Sequence, residues 1–138
     1  MKLILLLLLL PLPALANLFG TPSEFGVHTL TRHDPCLGAN DINFGAYIRT
    51  DKNFLLGGYY NSWRRMAYYV GYTSDEWSRF RVSAVGVTGY FAPVTFVIIP
   101  SFRVYSFDNG PSVYLSGSPV KLTEDGQSVM HVTVEWKL

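Results

Sequence analysis

The sequence predicts an all-β chain, an eight-stranded antiparallel up-and-down β-barrel of outer-membrane type. Three observations carry this expectation. Apolar and aromatic runs of roughly eight to eleven residues alternate with clusters of Gly, Pro, Asn, Asp and Ser, the pattern of strands and turns. No segment of helical period longer than about two turns follows the N-terminal apolar run. A single cysteine, Cys36, rules out an internal disulfide, so a small exported domain needs a closed barrel or a lipid environment to hold it together.

The chain opens Met1-Lys2, continues as the apolar run 3–10 and then reads Pro11-Leu12-Pro13-Ala14-Leu15-Ala16. One basic residue, a short apolar core and a small-x-small site make a secretory signal peptide, and the apolar run is too short to span a bilayer as a helix. The expected organisation is a signal peptide at 1–16 and a single barrel domain at 17–138, exported to the outer membrane of a Gram-negative bacterium. The eleven Lys and Arg, less Lys2, equal the ten Asp and Glu, so the formal charge of the domain is about zero. No basic stripe suggests nucleic acid, no metal-type Cys spacing occurs, and no phosphate-binding glycine loop or nucleophile elbow is present. No cofactor is expected, and the barrel is expected to be a monomer.

Strands are expected at 24–33, 42–50, 53–61, 65–73, 79–88, 94–104, 111–118 and 128–138. The polar stretch 33–41 ends the first, and Asp51-Lys52 separates the second from the third. The third and fourth form the aromatic and glycine-rich stretch 54–72, rich in Leu, Tyr, Val and Met and broken by a polar corner at Asn61, Ser62, Trp63 and Arg64. Ser74-Asp75-Glu76, the segment 89–93, the segment 106–110 and the segment 119–127 mark the remaining turns. Pro93 and Pro100 bracket the sixth strand; proline cannot donate to a ladder, so a lateral opening for lipid is conceivable there.

Alternation in the last strand puts Met130, Val132, Val134, Trp136 and Leu138 on one face and His131, Thr133, Glu135 and Lys137 on the other. A soluble ligand-binding barrel would turn the apolar face inward and a membrane barrel would turn it outward. The strand resembles the C-terminal strand of bacterial outer-membrane barrels, and the abundant Tyr and Trp suit interfacial girdles, which favours the membrane form. With both termini on the periplasmic side, up-and-down topology sends 33–40, 61–64, 89–93 and 119–127 to the outer rim. His33, Ser62, Tyr90, Lys121 and His131 then gather near one end, with His28 deeper. Arg79, Arg81 and Arg103 fall near the other end as interfacial anchors.

Gly57-Gly58-Tyr59-Tyr60-Asn61-Ser62-Trp63, followed by Tyr69-Val70-Gly71-Tyr72, resembles the outer-membrane lipid A palmitoyltransferases, the PagP family. Ala84–Thr88, Val97–Pro100 and Val132–Trp136 are further similar pieces, so the likeness spans most of the domain in a shortened, divergent form. That family carries a catalytic His on its first strand and an Asp-Ser-Trp unit in the corner. The resemblance therefore implies a small outer-membrane barrel that moves an acyl chain from phospholipid to lipid A or another lipid. Here Asn61 stands where the family has Asp, and His28 and His33 compete for the role of the catalytic His.

Acyl transfer needs a base, donors for an oxyanion and room for the acyl chain. His28 or His33 would supply the base, histidine being the side-chain type that titrates nearest neutral pH. Ser62 would be a nucleophile or oxyanion donor, and Asn61 would donate from its amide. Trp63, Arg64, Arg65 and Tyr90 would line the lipid-binding rim, with Gly57, Ala84, Gly86 and Gly117 leaving interior space for one chain. The partners implied are phospholipid and lipid A or lipopolysaccharide. The competing readings are a non-enzymatic outer-membrane barrel that binds such lipids or masks a surface receptor, and a soluble periplasmic ligand-binding barrel.

Overall fold

In the computed structural model, which describes residues 12–34, 38–90, 92–118 and 128–138, each strand pairs antiparallel with the next and the last closes on the first. A short helix α1 (Leu12–Phe19) precedes β1 (Pro22–Asp34), β2 (Ile42–Thr50), β3 (Phe54–Tyr60), β4 (Met66–Thr73), β5 (Phe80–Val87), β6 (Thr95–Ser106), β7 (Ser112–Ser118) and β8 (Ser128–Lys137). The strand boundaries lie within two residues of those read from the sequence. Helix α1 straddles the expected cleavage point after Ala16. It ends at Gly20, whose positive φ of 85° lets its N–H donate back to the Ala16 carbonyl at 2.8 Å. The Thr50 hydroxyl donates to the Phe19 carbonyl at 2.6 Å, and Phe19 meets Phe54 edge-on, so the helix is pinned to the lower end of the barrel. The Asp51 carboxylate beside it accepts from the Thr21 hydroxyl and backbone N–H, which hold its pKa below the usual carboxylate range.

Because side chains alternate, each strand sends one set inward and one outward. The inward set is polar and aromatic: Tyr47, Tyr69, Tyr114, Arg81, Ser83, Ser101, Ser116, Thr133 and Glu135 are all buried. Outward point Phe44, Leu56, Tyr68, Val70, Phe96, Ile98, Met130 and Trp136, all exposed. The last strand thus turns Met130 and Trp136 outward and Thr133 and Glu135 into the lumen.

The lower half of the lumen is held by ion pairs. The Arg81 guanidinium donates to both oxygens of Glu135, one of which also accepts from the Tyr47 hydroxyl. Arg49 pairs with Glu24 beside them, and the Arg81 guanidinium stacks 3.9 Å from the Tyr114 ring centre. Arg81 is therefore a lumen residue and not the interfacial anchor expected from its position near a strand end. Parity decides this, since Arg81, Ser83, Val85 and Val87 share the buried face of β5. The same parity corrects three of the four small residues expected to open the interior. Ala84, Gly86 and Gly117 pair with the exposed Ile98, Phe96 and Met130, and cross-strand partners share a face, so all three look outward. Gly57 does face inward, but a Cβ there would meet Tyr47 and Tyr69 at 2.6 and 2.7 Å, so its space is already filled.

Beneath the rim, β1 departs from regular pairing. Its register slips between His28 and Leu30 against β2, and between His28 and Thr31 against β8. This bulge changes the parity of the strand. His28 and His33, five residues apart, would face opposite ways in a regular strand, whereas both face the lumen here. The Thr29 hydroxyl donates to the Val132 carbonyl at 2.8 Å at this break.

The lumen pair gives a stability test. Glu135→Ala removes the bidentate partner of the buried Arg81, leaving only Glu24 at 4.0 Å, and is expected to cost about 3–5 kcal/mol, whereas Arg81→Met with Glu135→Leu is expected to recover most of that loss. Urea unfolding of the folded barrel, followed by tryptophan fluorescence, measures both.

Candidate active site at the barrel rim

Three rim segments converge above the lumen. The β1 bulge turns His33 inward, the β1–β2 connection delivers Asp41, and the β3–β4 corner delivers Ser62. The Ser62 hydroxyl lies 2.6 Å from His33 Nε2, and His33 Nδ1 lies 2.8 Å from Asp41 Oδ1. A carboxylate only accepts, so Nδ1 carries the proton and donates to Asp41. Nε2 is then the acceptor, and Ser62 donates its hydroxyl proton to it. The result is a Ser–His–Asp array with the polarity that activates a serine oxygen. The His33 side chain is 3% exposed and that of Asp41 48%, so the imidazole is sequestered while the carboxylate meets solvent.

The hydrogen bond from His33 holds the Asp41 carboxyl below the usual carboxylate range, with the nearby Arg32 charge adding to the effect. A lowered folded-state pKa means the contact stabilises the fold above the ordinary carboxylate pKa. That contribution is lost only as pH falls through the lowered value.

Asn43 completes the group. It is buried, its amide nitrogen donates to the Ser62 oxygen at 3.3 Å, and its amide oxygen accepts from Asn40 at 3.4 Å. A side-chain amide fixed beside a nucleophile is a suitable donor for a developing oxyanion. The backbone N–H of Asn40 also donates to the Ser62 carbonyl at 3.0 Å, tying the two rim loops together.

Of the two histidines singled out by sequence, the structure joins only His33 to Ser62. His28 lies deeper, with Nδ1 2.6 Å from His131 Nε2 and Nε2 2.9 Å from the Tyr69 hydroxyl. His131 in turn reaches the Thr31 hydroxyl at 2.5 Å. These groups, with the Tyr59 and Tyr47 rings packed on His28, form a floor under the array.

Asn61 does not join the array either. Its amide oxygen accepts from the backbone N–H groups of Trp63 and Arg65, both at 3.0 Å, and its amide nitrogen donates to the Gly89 carbonyl at 2.9 Å. Every one of these bonds goes to backbone, and the side chain is fully buried. Asn61 therefore shapes the corner in which Arg64 takes a positive φ of 59°, and clips that corner to the β5–β6 loop. A carboxylate could not donate to Gly89, which is the physical reason an amide suits this position.

Trp63, Arg64 and Arg65 stand exposed on the rim. Tyr90 bonds the Tyr59 hydroxyl at 2.7 Å, and its ring centre lies 5.9 Å from that of Trp63. Lys121 and Cys36 lie outside the described residues. Near the sixth strand, pairing with β7 begins at Ser101↔Ser116; Pro100 and Ile99 pair with β5 but not with Gly117 and Ser118, which the register would place opposite them. Pro100, at the edge of this break, has no N–H to offer a ladder. Among the described residues no group of three or more His, Cys, Asp or Glu is arranged to hold a metal ion.

Asp41 and Asn43 were not singled out by the sequence. Their signal was weak: both sit beside the turn residues Gly38 and Asn40, where polar side chains ordinarily cap a loop. No family model, curated protein or solved structure matches this chain.

Two outcomes check the site. A fluorophosphonate ester is expected to label Ser62, with labelling lost in Ser62→Ala and reduced about 10³- to 10⁴-fold in Asp41→Asn, where an amide no longer fixes the imidazole tautomer; His28→Phe is expected to retain labelling, measured by intact-protein mass. Asn61→Asp is expected to destabilise the barrel by about 1–3 kcal/mol, because it removes the donor to Gly89 and buries a carboxylate against that carbonyl. Its unfolding midpoint measures the loss.

Proposed function

We propose that this protein is an outer-membrane barrel that performs acyl-ester chemistry on lipids at its outer rim, most specifically transfer of an acyl chain from a phospholipid to lipid A or another lipid hydroxyl. The observation that carries the reading is the Ser62–His33–Asp41 array. The exposed apolar wall supports the membrane setting. A wall of Phe, Leu, Val, Ile and Tyr side chains is costly in water and favourable against hydrocarbon, and a closed barrel leaves no unpaired strand edge at the seam between its first and last strands. The likeness of 57–72 to the PagP family supports the lipid substrate.

In this mechanism His33 Nε2 takes the Ser62 proton as Oγ attacks the ester carbonyl, and the Asn43 amide faces the developing oxyanion. Collapse expels the lysophospholipid alkoxide, which leaves with the proton from His33. The acyl group on Ser62 then passes to an acceptor hydroxyl, whose proton returns through His33 to Ser62. Asp41 holds the imidazole in the required tautomer and faces its positive charge in both halves. Asp41 thus supplies from a neighbouring loop the carboxylate that Asn61 does not. Arg64 and Arg65 on the rim suit acceptor phosphates.

Mass spectrometry of lipid A and phospholipids, from cells with and without the protein and with Ser62→Ala, tests the reading. A new acylated species with matching lysophospholipid, absent from Ser62→Ala, is the expected result. An unchanged lipid profile in cells that hold the folded protein would overturn the enzymatic reading in favour of a lipid-binding barrel.

A further inference from the structure

The outer wall carries a groove of about 330 Å³ on the far side of Asp41 from His33. Its mouth holds Arg32 and Asp41, and its body is formed by the apolar side chains of Leu30, Ile42, Met130 and Leu115, with Val132 at its base. Pairing orders it along the barrel. Arg32 lies opposite Met130 nearest the rim, Leu30 lies opposite Ile42, and Val132 lies opposite Leu115 further down. The β1 bulge that turns His33 inward also sends Leu30 outward and breaks the wall at this point.

Two features indicate what fills it. The first is charge. Among the described residues the Arg32 side chain, exposed beside Asp41 in the groove lining, makes no hydrogen bond or ion pair within 4 Å, although its charge acts on the Asp41 carboxyl. Asp41 uses Oδ1 for His33 and is half exposed. The mouth therefore offers an exposed guanidinium and a carboxylate side by side, above an apolar channel. The second is exclusion from the lumen. Tyr47, Tyr69, His28 and His131 occupy the interior below the array, and the inward-facing Gly26 and Gly57 have their space filled by Tyr47 and Tyr69. Beneath the array these described side chains take up the space an acyl chain would need.

We infer that this groove is a docking site for one zwitterionic phospholipid, its phosphate on Arg32, its primary ammonium on Asp41 and the upper part of one acyl chain along Leu30, Ile42 and Met130. The inference rests on the membrane setting given under Proposed function; the groove shares Asp41 with the array but requires no turnover. A guanidinium suits a phosphate through paired N–H donors, and the volume is at the small end of ligand pockets, enough for one chain segment.

Native mass spectrometry of the detergent-folded protein, titrated separately with phosphatidylethanolamine, phosphatidylcholine and phosphatidylglycerol, tests this. The expected result is retention of one phosphatidylethanolamine at least about tenfold above either other lipid, a difference of about 1.4 kcal/mol. Arg32→Gln and Val132→Trp should each abolish the preference, and Ser62→Ala should keep it. Both altered sites lie on the outer wall, and circular dichroism confirms the folded barrel. Equal retention of all three lipids, or a preference that survives Arg32→Gln and Val132→Trp, would overturn the site. Lipid remodelling that depends on Ser62 while Arg32→Gln retains the preference would remove the groove and leave the enzyme. An Arg32-dependent preference without any remodelling would leave the groove and remove the enzyme.

Discussion

The rest of the structure depends on one departure from the two-residue period of a β-strand. In β1 the register slips at His28–Thr31 against both neighbours, and the strand gains the half-step that lets His28 and His33 face the same side. Without it the imidazole of His33 would point at the surroundings of the barrel, and neither Ser62 nor Asp41 would meet it. The same irregularity swings Leu30 outward and opens the wall groove. Lumen chemistry and the outer depression thus have one cause, a bulged strand whose freed backbone at Val132 is bonded by the Thr29 hydroxyl.

Beneath the rim, polarity is ordered by height. The lower lumen contains matched charges, Glu24 with Arg49 and Glu135 with Arg81, closed further by the Tyr47 hydroxyl. Charges in such a place are costly unless paired, and breaking one pair leaves the other partner uncompensated. Above them lies a floor of Tyr69, His28 and His131 linked by hydrogen bonds, and above that the array itself. These linked side chains lie directly beneath the rim array.

The corner residue illustrates how function and framework divide between neighbours. Asn61 and Ser62 are adjacent, yet Asn61 spends its whole amide on backbone groups while Ser62 faces His33 and Asn43. The neutral amide holds the β3–β4 and β5–β6 loops at one height. The carboxylate that meets His33 comes instead from Asp41 across the rim, eight residues along the chain from it.

Alternation, glycine and turn residues determined much of this protein in the sequence itself. The eight strands, their order and the end at which each connection falls were legible because period-two patterning and turn chemistry are local properties. The polar face of β8 was legible too, since His131, Thr133 and Glu135 alternate with Met130, Val132 and Val134. What only the tertiary structure decided was which face is inside and who meets whom. Local pattern cannot register a bulge that changes parity, so His28 and His33 competed on equal terms until β1 was seen to slip. Nor can it show that Arg81 enters the lumen, that Ala84, Gly86 and Gly117 face out, or that Asp41 and Asn43 close on Ser62. Those contacts join residues from different strands and loops, and barrel closure is the physical event that brings them within hydrogen-bonding distance.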